Sequence, residues 1–139
     1  MNDDKGVIWD LGPYFPEFDG PEMRAFTVGL DRDIERLKTS SSELRAFSGK
    51  TLDQWEALIL IAEDLYRRLG HLSSYLGCLE AADAHNEAVS LSRAALVRQY
   101  AAFEKFEIDV LGVFKRAPKT VFEGFCERPN LKEIAYYLK

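Results

Sequence analysis

The chain has 139 residues, a net charge of −5 and a pI of about 5.1, with 47% hydrophobic and 29% charged residues. That balance is too apolar for a disordered chain and sufficient for a buried core. The acidic charge argues against a nucleic-acid partner, whose phosphates need clustered Lys and Arg. The longest strongly apolar run, Ala57 to Ala62, is far too short to span a membrane.

The opening Met1-Asn2-Asp3-Asp4-Lys5 is not the basic start of a secretory signal. Cys78 and Cys126 stand in no CxxC-like spacing, so unbridged thiols in a reducing cytoplasm are expected. The length suits one helical domain over 1–139. Residues 1–20 contain Gly12, Pro13, Pro16 and Gly20, a density that no regular element survives. The same stretch carries Val7, Ile8, Trp9, Leu11, Tyr14 and Phe15. It therefore reads as an extended apolar arm laid over a helical core, or against a further domain.

Helical spacing begins at Pro21, with Asp19 or Gly20 as cap and the proline in the first turn, where its missing N–H is harmless. Met23, Phe26, Leu30, Ile34 and Leu37 mark the buried stripe of a first helix over 21–47. Thr39-Ser40-Ser41-Ser42 weakens its end by competing for backbone hydrogen bonds. Gly49 marks a turn, and Thr51 with Gln54 fits a capping box.

From Thr51 to Arg116 the pattern is a long helical hairpin, around which the rest of the chain is organised. Its first stripe is Trp55, Leu58, Ile59, Ala62, Leu65, Tyr66, Leu69, Leu72, Leu76 and Leu79. Gly70 and Gly77, seven residues apart, fall on one face and suggest a close helix–helix approach, with a kink as the alternative. The break lies at Asp83–Asn86, with Asp83 or Asn86 as the next cap. The second stripe is Val89, Ser92, Leu96, Tyr100, Phe103, Phe106, Val110 and Phe114, with Leu91 alongside. So short a connection makes the helices antiparallel neighbours. After Pro118, residues 119–139 read as two short helices, the second over Pro129–Lys139 and still amphipathic at its last residue. The expected class is all-α: a long antiparallel hairpin, an added N-terminal helix, short C-terminal helices and an extended arm.

No catalytic or metal constellation is legible. Gly49-Lys50-Thr51 ends like a phosphate-binding loop, but Leu44 stands where the loop needs its first glycine. His71 and His85 belong to neither HExxH nor Glu-x-x-His. His71 reads as a surface or interface side chain, and His85 as a solvated one. Cys126 has Arg128 nearby but lacks a base, and no Gly-x-Ser-x-Gly appears. Glu80, Asp83 and Glu87 form an acidic, solvated hairpin tip.

Several segments together resemble one family. Trp9-Asp10-Leu11-Gly12-Pro13-Tyr14-Phe15, Phe47-Ser48-Gly49-Lys50-Thr51-Leu52, and His71 to Leu76 followed by Ala81-Ala82-Asp83 are the first three. Phe103-Glu104-Lys105-Phe106-Glu107-Ile108 and Pro129-Asn130-Leu131 to Tyr136-Tyr137-Leu138 complete the series. In this order they resemble the N-terminal helical region of oligoendopeptidase F-like zinc metallopeptidases, of the thimet oligopeptidase-like superfamily. The resemblance implies a non-catalytic wall or lid beside a channel that admits short, unfolded peptides. It implies that zinc and its HExxH belong to a catalytic domain beyond Lys139, that the catalytic residues lie there, and that this domain is the main partner. Oligopeptide substrate would be met only indirectly, and no nucleic acid or membrane is expected. The interface candidates are Trp9, Tyr14, Phe15, Tyr136 and Tyr137. The alternative is a self-contained helical-hairpin interaction module that uses those aromatics in a homodimer.

Overall fold

A computed structural model describes residues 10–44 and 46–138. Its helices are α1 (Pro21–Glu43), α2 (Leu52–Ala82), α3 (Glu87–Arg116), α4 (Lys119–Cys126) and α5 (Ala135–Leu138). The described residues form no strand, and each of the three long helices packs against the other two. The fold is thus the all-α arrangement expected, with α1 lying along the α2–α3 hairpin.

α1 starts where the sequence places it. Gly20 is the N-cap and Pro21 opens the helix. The reversal into it passes through Asp19, whose φ of 57° is left-handed, a region that aspartate tolerates better than most residues. Arg24 fixes this turn by donating Nε and Nη2 to the two carboxylate oxygens of Asp19, at 3.0 and 3.1 Å. The helix stops at Glu43, short of the expected 47. The cause is local. Thr39, Ser41 and Ser42 donate their hydroxyls to the carbonyls of Glu35, Lys38 and Thr39, and Leu44 is already extended.

The capping box at Thr51 does not form. The Thr51 hydroxyl instead donates to the Ala46 carbonyl at 3.0 Å and accepts from the Ser48 N–H at 3.1 Å, pinning the turn ahead of α2. α2 has 31 residues and α3 has 30, about 45 Å each at 1.5 Å per residue. The turn between them is closed by Asn86, whose Oδ1 accepts from the N–H groups of Ala88 and Val89 at 3.1 and 3.2 Å.

The core lies along the three-helix seam. Leu30, Ile34 and Leu37 of α1 meet Leu65, Leu69 and Leu76 of α2 and Leu96, Phe103 and Phe106 of α3, all buried. Each such side chain contributes roughly 1.5–3 kcal/mol before conformational entropy is subtracted. Two expected stripe members lie outside the core. Tyr66 is 58% exposed and Leu91 is 72% exposed. Leu91 follows buried Val89 by two residues, about 200° around the helix, which turns it outward. Tyr66 sits at the edge of the buried arc and reaches only the Phe103 ring, with centroids 6.1 Å apart. Tyr75 and Gln99 are buried instead, because α1 covers the arc on which they lie.

The paired glycines of α2 mark neither a notch nor a break. A Cβ on Gly70 would meet nothing within 4 Å, and one on Gly77 only Arg93 Nη2 at 3.5 Å. The helix runs unbroken through both.

The tail closes the open end of the hairpin. Phe47, Trp55, Phe114, Phe122 and Phe125 form one aromatic cluster there, with the Phe47 and Phe125 ring centroids 5.1 Å apart. The helix expected over Pro129–Lys139 is reduced to one turn, α5. Before it the chain turns to seat Leu131, fully buried, while Arg128 and Asn130 reach across to α2. Those tertiary ties outweigh a helical pattern that is weak at this length.

Candidate functional site

The aromatic candidates separate into two environments. Phe15 is buried in the arm and packs edge-on against Phe26 of α1 and Tyr75 of α2, with centroids 5.2 and 5.0 Å away. Tyr14 is half-buried beside the His71 ring, 5.1 Å between centroids, and its backbone carbonyl accepts from His71 Nε2 at 3.2 Å. The described part of the arm, 10–20, is thereby fastened to α1 and α2. His71 holds that contact as a partly buried interface side chain. At the other end, Tyr136 and Tyr137 are 85% and 79% exposed and touch mainly each other, with centroids 5.6 Å apart. Trp9 lies outside the described residues. Tyr14 and Phe15 thus form one site, and Tyr136 and Tyr137 a separate surface.

Polar side chains lock the helices in register. Arg68 of α2 donates to Asp33 of α1 at 2.9 Å. Burial opposes the charge on Asp33, yet Arg68 and Arg32 together hold its carboxyl below the ordinary range. Arg93 of α3 binds both Glu80 oxygens, at 3.0 and 3.1 Å, and donates to the Ser73 hydroxyl at 3.1 Å. The hydrogen bonds from its guanidinium lower the Glu80 pKa, with burial acting in the opposite direction. Glu80 is therefore an interhelical anchor and not part of a merely solvated tip. Gln99 crosses from α3 to Asp31 of α1 at 2.9 Å, and its own carbonyl oxygen is buried without a partner among the described residues. Arg128 joins the tail to Asp53 and Glu56 of α2. Glu107, at the α3 surface, is pushed up by burial and by Glu104 one turn before it. None of these crossings has a sequence signature beyond Gln99 itself, which falls between Leu96 and Phe103 at helical spacing.

The chemistry available is modest. The described residues contain no cluster of three His, Cys, Asp or Glu that could hold a metal ion, and no helix among them is long and apolar enough to cross a membrane. His85 is exposed, as is Cys78, whereas Cys126 is buried. Gly49 and Lys50 lie in the turn before α2, with no strand before them among the described residues. Two of the clefts among the described residues are shallow and open. One, of about 250 Å³, lies between the end of α1 and α3 and is lined by Lys38, Trp55, Lys105, Phe106 and Asp109. The other, of about 280 Å³, lies between α3 and the tail and is lined by Leu111, Phe114, Lys119, Phe122 and Leu138. The buried indole N–H of Trp55 finds no acceptor among the described residues. The first cleft is also lined by Ser41 and Ser42, whose hydroxyls donate to the Lys38 and Thr39 carbonyls of their own helix, and the lining of the second holds no carboxylate.

Compared with protein-family models, with curated proteins and with solved structures, the chain matches none.

Proposed function

We propose that the chain is a non-catalytic helical domain of an oligopeptide-cleaving zinc metalloendopeptidase of the oligoendopeptidase F type, forming part of the wall or lid of its substrate channel. The reading is carried by one observation: the resembling segments, from Trp9–Phe15 to Pro129–Leu138, occur in the family's order along nearly the whole chain. The architecture suits the role. A rigid helical slab is what a channel wall requires, and the aromatic arm end, Tyr14–Phe15, is engaged within the chain. The exposed pair Tyr136–Tyr137 offers an apolar surface against which a catalytic domain would dock. Zinc would belong to that second domain.

The reading frame that encodes the protein tests the proposal. The frame is expected to continue past Lys139 into an HExxH-bearing segment; a stop codon directly after Lys139 would sink the reading. The purified chain is expected neither to retain stoichiometric zinc nor to cleave a fluorogenic peptide, and turnover with bound zinc would overturn the non-catalytic assignment. A self-contained helical interaction module is the second reading, favoured by the apolar side chains Val97, Ile108 and Leu111 on the outer face of α3.

A further inference from the structure

α3 buries one side against α1 and α2 and leaves the other uncovered. Val97, Ala101, Glu104, Ile108 and Leu111 recur at alternating spacings of four and three, which places them in one row. All are exposed: Val97 by 60%, Ile108 by 68% and Leu111 by 39%. Gln99, on the opposite arc of α3, reaches α1, while Arg93, one turn before Val97, ties the near end of the row to Glu80 of α2. Ile108 and Val97 are large apolar side chains with no partner helix over them among the described residues.

The charges in this row indicate what covers it. Glu104 is central to the row, and Lys105, next to it in sequence and opposite in sign, lies on the flank of the row toward the cleft with α1. Among the described residues neither is engaged in a salt bridge. A two-fold axis across α3 between them sets Glu104 of each copy against Lys105 of the other, so one operation makes two ion pairs. The same operation places Ala101 opposite Ile108, Val97 opposite Gly112, and Leu111 opposite the aliphatic stem of Arg98. A surface that complements itself under a two-fold axis is the requirement of an isologous dimer.

We infer that the outer face of α3 is a homodimer interface, in which the α3 helices of two copies pair antiparallel about an axis between Glu104 and Lys105. One helix face of about four turns belongs to the small class of interfaces, below about 1,200 Å² in total, which is the class of weak and transient association. The inference does not rest on the peptidase reading, and its test is separate from the reading-frame test.

Sedimentation equilibrium from about 5 to 500 µM decides it, a span in which a weak, transient dimer assembles. The wild-type chain is expected to pass from monomer to dimer over this range. Glu104→Lys and Lys105→Glu each replace two attractive pairs by two repulsive ones and weaken the dimer about tenfold or more. The double swap, Glu104→Lys with Lys105→Glu, restores attraction and returns dissociation to within about threefold of wild type, by the logic of a double-mutant cycle. Ile108→Asp abolishes dimerisation while helical circular dichroism and melting stay near wild type, because the side chain is exposed in the monomer. A monomer at all concentrations overturns the inference, whether or not an unlike protein is later found on this face. A dimer that ignores both single swaps, or that the double swap fails to restore, overturns it equally by moving the interface or its register.

Discussion

Gly70→Ala separates two readings of α2 by the sign of its effect. If the glycine were a notch for close helix approach, a methyl group would overpack the seam and destabilise by about 1–3 kcal/mol. The space around Gly70 is open, with nothing within 4 Å of an added Cβ, and the residue lies in the middle of a helix of 31 residues. What remains is the backbone effect: glycine costs a helix interior about 0.8–1.0 kcal/mol relative to alanine. The variant is therefore expected to be more stable by about that amount. With an unfolding entropy of about 2.1 cal/mol/K per residue, a chain of 139 residues loses roughly 0.3 kcal/mol/K, so Tm rises by about 3 °C. Thermal and urea melts followed at 222 nm would measure it, with an unchanged m-value confirming that both end states are preserved. A fall in Tm of several degrees would refute the open-space argument and reinstate the notch. Gly77→Ala is a companion of the same sign, since its nearest neighbour is the flexible end of Arg93 at 3.5 Å.

Phe125→Ala is expected to destabilise by about 3–5 kcal/mol, because the ring is fully buried at the centre of the aromatic end cluster. Urea melts would show the loss, and a change below about 1 kcal/mol would mean that α4 is not seated as described. Asn86→Ala removes the acceptor for two orphan N–H groups at the start of α3 and is expected to destabilise by about 1 kcal/mol; Asn86→Asp should recover most of it, and equal losses in both would refute the cap. Glu107 has its pKa raised above the ordinary 4.5 by burial and by Glu104. The folded state then holds the proton more tightly than the unfolded state, so stability falls as pH rises from the unfolded to the folded pKa and stays lower above it. Glu107→Gln is accordingly expected to be more stable than the wild type at pH 7 and indistinguishable from it at pH 3. Melts that differ at pH 3 and coincide at pH 7 would reverse the sign and refute the assignment.

The helical elements were legible because their signals are local. The 3–4 spacing of Leu58, Leu65, Leu69, Leu72 and Leu76 identifies α2 without reference to any other segment. Gly20-Pro21 and Asn86 mark helix starts by backbone chemistry alone. Thr51 was misread because its hydroxyl had a better offer in the turn behind it than at the helix start. Tyr66 sits at the edge of the buried arc and Leu91 about 200° from Val89, so both lie outside the core, while Tyr75 and Gln99, which neither stripe includes, are buried where α1 covers them. A stripe read from one helix indicates the direction of burial, and the width of that arc depends on how many neighbours cover it. Of the candidate interface residues, Phe15 and Tyr137 are equally apolar in sequence, but only packing distinguishes a ring wedged against Tyr75 from one left in solvent.

The sequence by itself determined that this chain is helical, where its long hairpin turns, and that it carries no recognisable metal or nucleophile motif, since propensity, capping and motif spacing act within a few residues. Only the tertiary structure decided that α1 lies along both arms of the hairpin, that Arg68, Arg93 and Arg128 tie separate elements together, and that the outer row of α3 is left uncovered. Those outcomes depend on which surfaces meet across tens of residues. Burial and long-range charge pairing are properties of the assembled chain, and no local pattern encodes them.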